Sequence, residues 1–196
     1  MPLIYIDTDG GKLAVEVQGE GPLIVCSPGL GDTRDAYAPV AAQLVKQGYT
    51  VANMDVRGHG DSSTGFKHYG DEATTDDFIS IVTKLRRGPA VLAGASFSAG
   101  AATIAAGKRP DLIAGIVLLG PFLRLPSGAM GTVMFHIMPM LFWRPWGPMV
   151  WQSYSKTLWP GLGDKAAERA AASKTALTRN GRWSAFQSTV SGLDHR

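Results

Sequence analysis

Short apolar runs alternate with longer helical patterns along the first 125 residues, and this alternation limits the folds open to the chain. The runs do not alternate apolar with polar residues, which is typical of parallel strands covered on both faces. They occupy residues 23–27, 50–55, 90–95 and 113–120. Helical patterns cover 34–47, a stretch that begins near Thr75, and 97–109. We therefore predict a doubly wound, mostly parallel α/β sheet with right-handed crossovers.

Two local signals refine this prediction. Residues 3–8 and 12–19 look like a pair of strands joined by the turn Asp9-Gly10-Gly11. Thr74, with Asp77 three residues further on, resembles the N-terminal cap of the second helix.

The pattern changes after residue 125. No further strand pattern is evident, and all five tryptophans and five of the seven methionines lie beyond residue 128. Residues 1–125 carry a net charge of −2 and residues 126–196 a net charge of +5. We predict an α/β core over 1–125 and a helical cap over 126–196. The basic residues of the cap are interpreted as a solvated helix face, since no run of five or six like charges occurs.

Composition excludes several classes of protein. Cys26 is the only cysteine, so an internal disulfide and a cysteine metal cluster are excluded. The N-terminus lacks a basic segment followed by an apolar one, and no run reaches 18 apolar residues. We expect a cytoplasmic protein that needs no metal or cofactor, binds no nucleic acid and does not insert stably into a membrane.

The sequence "GASFS", residues 94–98, joins a predicted strand to a predicted helix. A serine at such a sharp turn needs small neighbours two residues away on each side, and Gly94 and Ser98 meet that need for Ser96. Ser98 also has small neighbours, but it falls within the first helical turn. We predict that Ser96 is a nucleophile; the alternative is that both serines only cap the helix.

Two other loops leave the carboxyl ends of predicted strands. The 27–32 loop, "SPGLGD", can turn backbone N–H groups toward a developing oxyanion. We expect the N–H groups of Leu30 and Phe97 to serve as the donors. The 55–62 loop, "DVRGHGDS", contains His59, which we interpret as a structural residue because Asp55, Arg57 and Asp61 offer it partners.

These three loops, with the segment "RPDLIAGIVLLGPF", resemble the α/β-hydrolases of the serine esterase and lipase kind. The resemblance covers residues 1–125 well and continues more loosely to about 190. The family's His-Gly pair in the first loop reads Pro28-Gly29 here, and the last glycine of its G-x-S-x-G elbow is Ser98. The related epoxide hydrolases and haloalkane dehalogenases need an aspartate where this chain has Ser96.

The resemblance also implies an acid and then a histidine after the nucleophile, on strands that follow the cap. Here the chain ends at "VSGLDHR", and downstream of Ser96 the only histidines are His136 and His195. Asp194 and His195 are in the right order, although adjacent side chains usually point apart. His136, among "MFHIMPM", is interpreted as a cap residue.

Three explanations for the missing partners stay open. The chain is truncated, lacking the C-terminal strands; another chain supplies those strands; or this is a short variant with an improvised base. We expect truncation, and with it an exposed edge at residues 113–120 that favours self-association. The predicted function is cleavage of a small or medium apolar carboxylic ester, impaired in this chain. The alternative is a non-catalytic binding or interaction protein with the same fold.

Overall fold

The structure, a computed structural model, describes residues 2–123 and 128–193. Within these ranges six strands form one mixed sheet in the order β1-β2-β4-β3-β5-β6. The strands are β1 (Leu3–Thr8), β2 (Gly11–Gln18), β3 (Leu23–Ser27), β4 (Thr50–Met54), β5 (Ala90–Ala95) and β6 (Ile113–Leu119). Strand β2 pairs antiparallel with β1 and with β4. Strands β4, β3, β5 and β6 run parallel to one another. This arrangement confirms the predicted α/β fold class.

Seven α-helices accompany the sheet in the described residues. Three connect strands, and four follow the last strand, separated in places by short 3₁₀ turns. They are α1 (Ala38–Lys46), α2 (Asp71–Leu85), α3 (Phe97–Lys108), α4 (Ala129–Leu141), α5 (Gly147–Ser155), α6 (Lys165–Leu177) and α7 (Arg182–Ser191). We call α4–α7 the C-terminal helices. None of the described helices is long and apolar enough to cross a membrane.

Two apolar clusters cover the faces of the sheet, and a third lies among the C-terminal helices. The larger sheet cluster includes Phe78 and Ile81 of α2 and Phe97 of α3, and the smaller one packs around α1. The third is built mainly from aromatic side chains. Leu30, in the 27–32 loop, packs against both the larger sheet cluster and the third cluster. This side chain therefore joins the sheet to the C-terminal helices.

The predicted strands are confirmed to within one residue at most ends. Strands β3 and β5 have the predicted limits, and the turn between β1 and β2 uses positive φ angles at Asp9 and Gly10. The division into a core over 1–125 and a cap over 126–196 stays a prediction.

The predicted start of α2 is wrong. The helix begins at Asp71, after Gly70 with φ +92°, so Thr74 lies inside it and its N–H donates to the Gly70 carbonyl. Asp77 does not cap the helix; its carboxylate binds Arg57 instead, with distances of 2.6 and 2.8 Å. The capping pattern failed because the helix begins after Gly70, so Thr74 already lies in its first turn, while the Asp77 carboxylate pairs with a residue distant in the sequence.

Candidate active site

Ser96 lies at the junction between β5 and α3. Its φ of 55° and ψ of −122° place a non-glycine residue in a left-handed region that typically costs 1–3 kcal/mol. Hydrogen bonds hold this backbone from both sides: the Ser96 N–H donates to Leu119 O at 3.0 Å, and Ser96 O accepts from the N–H groups of Ala99 and Phe122, both at 3.1 Å. The side chain is half-buried rather than enclosed. The strained turn thus leaves Ser96 partly exposed to solvent.

The two small neighbours of Ser96 have different tasks. A Cβ on Gly94 would lie 2.4 Å from the carbonyl oxygen of Ser98, so the strand and the helix can approach this closely only with glycine there. Ser98 is fully buried. Its hydroxyl donates to Pro28 O at 2.7 Å and lies 3.0 Å from the hydroxyl oxygen of Ser27. Ser98 therefore binds the 27–32 loop rather than facing solvent.

The 27–32 loop contains a tight turn beside the β5–α3 junction at Ser96, which we call the elbow. The Asp32 N–H donates to Gly29 O at 3.2 Å, and Gly31 has φ +76°, as the third residue of a type II turn requires. A Cβ on Gly29 would lie 3.2 Å from Cβ of Ser96, so the loop passes directly against the serine. Phe97, the other expected donor, begins α3, where the first N–H groups of a helix have no partner within the helix.

His59 is buried, and both of its ring nitrogens are engaged away from Ser96. Its Nε2 accepts the Gly31 N–H at 3.0 Å and its Nδ1 lies 3.0 Å from Arg57 O, which fixes the tautomer with the proton on Nδ1. Burial lowers the pKa of His59 from 6.5 to about 4. A neutral imidazole that orients a backbone amide fits a structural role. Of the three expected neighbours, only the Arg57 backbone contacts the ring.

The carboxylates expected to serve His59 bind arginines instead. Asp55 is buried and accepts from the N–H and the guanidinium of Arg34 and from the N–H of Asp61. Burial raises the pKa of Asp55, and these hydrogen bonds oppose the rise. Arg34 also binds the Asp61 carboxylate at 2.7 Å. This network fixes the 55–62 loop. His59, in the same loop, binds the 27–32 loop through the Gly31 N–H.

The structure places Gly29, the residue before Leu30, against Ser96, and Phe97 directly after Ser96 at the start of α3, but it leaves the base unassigned. His136 is exposed on α4, with Nδ1 2.8 Å from Thr132 O. Asp111 is exposed and paired with Arg109 at 2.6 Å. Asp194 and His195 lie outside the described residues. No group of three or more metal-binding side chains occurs in residues 2–123 and 128–193.

Sequence reasoning missed a set of contacts from α5 and α6. Ser173 Oγ donates to Gly31 O at 2.5 Å, and Arg169 binds both carboxylate oxygens of Asp32 at 2.7 and 2.8 Å. Trp151 packs on Gly31 so closely that a Cβ there would lie 2.2 Å from its ring. These pairs are separated by 120 to more than 140 positions in the sequence, so no local signal could have revealed them.

The geometry defines an α/β-hydrolase elbow, and comparison with known proteins identifies the family. The family model described as "Serine aminopeptidase, S33" matches residues 20–185. The chain therefore belongs to the serine aminopeptidase S33 family of α/β-hydrolases, which confirms the resemblance seen in the sequence.

Relatives with assigned names are hydrolases of several kinds. The chain is 32% identical over 113 residues to the 2-(acetamidomethylene)succinate hydrolase of Mesorhizobium japonicum, covering 57% of this chain and 40% of that protein. It is 34% identical over 108 residues to an epoxide hydrolase of Caballeronia sordidicola, covering 54% of this chain and 33% of that protein. The chain thus spans less than half the length of these relatives.

Solved structures with the same fold include two esterase-type enzymes. A thermophilic esterase from Thermogutta terrifontis superposes with a TM-score of 0.79 at 21% identity, over 98% of this chain and 72% of that one. The enol-lactonase from Burkholderia xenovorans LB400 superposes with a TM-score of 0.77 at 22% identity, over 97% of this chain and 73% of that one. At these identities the likeness establishes the fold.

Proposed function

We propose that this chain carries the nucleophile and oxyanion site of a serine hydrolase that cleaves a small or medium apolar carboxylic ester. Ser96 attacks the ester carbonyl, and the N–H groups of Leu30 and Phe97 stabilise the oxyanion. The observation that carries the proposal is the strained backbone of Ser96, with φ 55° and its side chain directly against the 27–32 loop. Strain of this kind persists at functional sites where the surroundings hold it.

Ester chemistry fits a serine better than epoxide chemistry does. Attack of a serine oxygen on an ester breaks the acyl C–O bond, releases the alcohol with the serine proton and gives an acyl-enzyme. Water then hydrolyses the acyl-enzyme to release the acid and regenerate the hydroxyl. Attack of the same oxygen on an epoxide would leave an ether, which water does not cleave under these conditions. A carboxylate nucleophile avoids this problem because its adduct is itself an ester. Ser96 therefore supports the esterase reading over the activity named for the Caballeronia relative.

The C-terminal helices support an apolar substrate. The exposed side chains of α4, α5 and the segment between them include Met140, Trp143, Trp146 and Met149, which provide large apolar surfaces. We propose that these helices act as a cap over the elbow. We propose Asp194 as the candidate acid and His195 as the candidate base. The alternative is that other residues supply both groups.

The proposal is tested with a fluorophosphonate probe, which reacts with activated serines. We expect the intact mass of the protein to rise by one phosphonyl group, and Ser96→Ala to abolish the rise. Ser98→Ala serves as the matched control, since it removes a hydroxyl two residues away and leaves the nucleophile; it should still become labelled. Absence of labelling in the unsubstituted protein would favour the non-catalytic binding protein instead.

We also propose that copies of the chain self-associate through β6. In the described residues β6 pairs only with β5, and Ile116, Val117 and Leu119 are more than one-third exposed. Edge strands with apolar side chains pair readily with other chains. Val117→Lys should lower the apparent mass in light scattering at high concentration. Val40→Lys, on α1 and equally exposed at 47%, is the control that should leave the mass unchanged; a monomeric unsubstituted protein would contradict the proposal.

A further inference from the structure

The 27–32 loop is held at successive peptide units. Pro28 O accepts from the buried Ser98 hydroxyl, and Gly29 O accepts from the Asp32 N–H. The Gly31 N–H donates to His59, and Gly31 O accepts from Ser173. The first and third contacts come from the core, the second lies within the loop, and the fourth comes from α6. The two peptide units next to that of the Leu30 N–H are therefore held by Ser98 and His59. The 31–32 unit, whose Asp32 N–H bonds Gly29 O, is held by the C-terminal helices through Ser173.

The Leu30 N–H shares its peptide unit with Gly29 O. In a planar trans peptide the N–H and C=O groups point in opposite directions. Because Gly29 O faces inward to the Asp32 N–H, the direction of the Leu30 N–H depends on the turn keeping its shape. Gly31 O and the Asp32 N–H belong to one peptide unit, so rotation of that unit would move the donor that holds Gly29 O, and with it the Leu30 N–H. The hydrogen bonds at Gly31 are the contacts that oppose this rotation.

Ser173 is itself oriented by Trp151. The indole Nε1–H of Trp151 donates to Ser173 Oγ at 3.0 Å, which leaves the Ser173 hydroxyl proton to donate to Gly31 O. The Trp151 ring is buried and packs on Gly31. Beside them, Arg169 stacks on Trp159 at 4.9 Å and binds Asp32 through its guanidinium. Helices α5 and α6 thus contact the turn by packing, by a hydrogen bond and by an ion pair.

We propose that Ser173 is a positioning residue that lets α5 and α6 set the direction of the Leu30 N–H. The inference rests on the proposed function, in which that N–H stabilises the oxyanion. It implies that a displacement of the C-terminal helices, such as one that admits substrate, weakens the oxyanion site, and that their return restores it. The hydrogen bond between Ser173 and Gly31 O thus couples the position of the C-terminal helices to the oxyanion site.

The test compares four substitutions on α5 and α6. Ser173→Ala removes the hydroxyl, and Ser173→Thr keeps it. Thr175→Ala is the matched control, because its exposed hydroxyl bonds only within the helix, to Ala171 O at 2.9 Å. Trp151→Phe keeps most of the ring and removes the Nε1 donor, which provides a second route if Ser173→Ala does not fold.

The rate of fluorophosphonate labelling is measured against probe concentration, so that the maximal rate is separated from probe binding. Ser173→Ala should lower the maximal rate by about tenfold to a hundredfold with little change in binding, short of the roughly 10²–10³ for a whole oxyanion donor. Ser173→Thr should restore most of the rate, and Thr175→Ala should match the unsubstituted protein. Equal rates in Ser173→Ala and the unsubstituted protein would overturn the inference.

Hydrogen exchange gives a second readout that does not depend on labelling. The Asp32 amide belongs to the peptide unit that Ser173 holds and donates to Gly29 O, so its exchange should become faster in Ser173→Ala, while amides in β5 keep their protection. Unchanged exchange at Asp32 would overturn the structural part of the inference. If the unsubstituted protein is not labelled at all, the proposed function fails and the catalytic part fails with it, whereas labelling of the unsubstituted protein with no effect of Ser173→Ala defeats this inference alone.

Discussion

Ser96 keeps its left-handed backbone because its neighbours leave it no alternative. Gly94 allows β5 to pass against the first turn of α3, and main-chain hydrogen bonds hold Ser96 to Leu119 and Phe122. The strain is thus a property of the junction rather than of the serine side chain.

Gly94→Ala tests how tightly this junction is packed. The added methyl carbon would lie 2.4 Å from Ser98 O and 2.7 Å from Ala99 N, which are backbone atoms that cannot rotate away. We expect a loss of roughly 1–3 kcal/mol in the free energy of unfolding, measured by urea denaturation, together with slower probe labelling. Gly107→Ala, in α3 with open space around it, should be neutral or stabilising by up to about 1 kcal/mol. Equal effects at the two positions would contradict this account.

His59 makes stability depend on pH at the residue scale. Its pKa falls from 6.5 to about 4, mainly through burial; nearby Arg182 lowers it further, and Asp32 and the hydrogen bond to Arg57 O oppose the fall. Between these values the unfolded chain binds more protons than the native one. The contribution of neutral His59 is therefore complete above about pH 6.5 and is lost as the pH falls toward 4.

The measurement is the free energy of unfolding from pH 7 to pH 4 in the unsubstituted protein and in His59→Gln. Gln still offers an acceptor to the Gly31 N–H but does not titrate. The unsubstituted protein should lose roughly 3 kcal/mol more than the variant over this window, since each pKa unit corresponds to roughly 1.4 kcal/mol. Parallel pH profiles would show that His59 titrates normally, against the buried geometry.

At the scale of elements, one ion pair joins α2 to the 55–62 loop. Arg57 and Asp77 are both at least 97% buried, and Arg57 also reaches Asp9 at 3.0 Å and the His68 carbonyl at 2.8 Å. Removing one partner of a buried ion pair leaves the other charge buried with fewer partners. This is more destabilising than replacing both partners by apolar side chains.

Asp77→Asn should therefore lower the free energy of unfolding by about 3–5 kcal/mol. The matched control is Asp76→Asn, which removes the same charge from the exposed side of the same helix. The control should change stability by less than about 0.5 kcal/mol. Thermal or urea denaturation at pH 7 measures both, and similar losses in the two variants would refute the structural role of the pair.

At the scale of the whole molecule, the sequence predicts the sheet much better than it predicts the site. Buried strands such as β3 and β5 are encoded locally by short apolar runs, and a strand-to-helix junction with small residues marks Ser96. The predicted start of α2 was wrong because the helix begins at Asp71, after a glycine with positive φ, and Asp77 pairs with Arg57, 20 positions away, instead of capping.

The contacts of Ser173, Arg169 and Trp151 with the 27–32 loop depend on how the C-terminal helices pack against the sheet. Nothing in "DKAAERAAASKTAL" distinguishes Ser173 from a surface serine. The buried role of Ser98 could have been anticipated in part, since a serine in place of a glycine at a crowded turn needs a partner. Its actual partners, Pro28 and Ser27, are about 70 residues away in the sequence.

The most direct test of the central claim is a crystal structure of the protein after reaction with the fluorophosphonate probe. The account predicts a phosphorus–oxygen bond to Ser96 Oγ, with the free phosphonyl oxygen accepting hydrogen bonds of about 2.7–3.1 Å from the N–H groups of Leu30 and Phe97. An adduct on another residue, or a phosphonyl oxygen turned away from both amides, would contradict it.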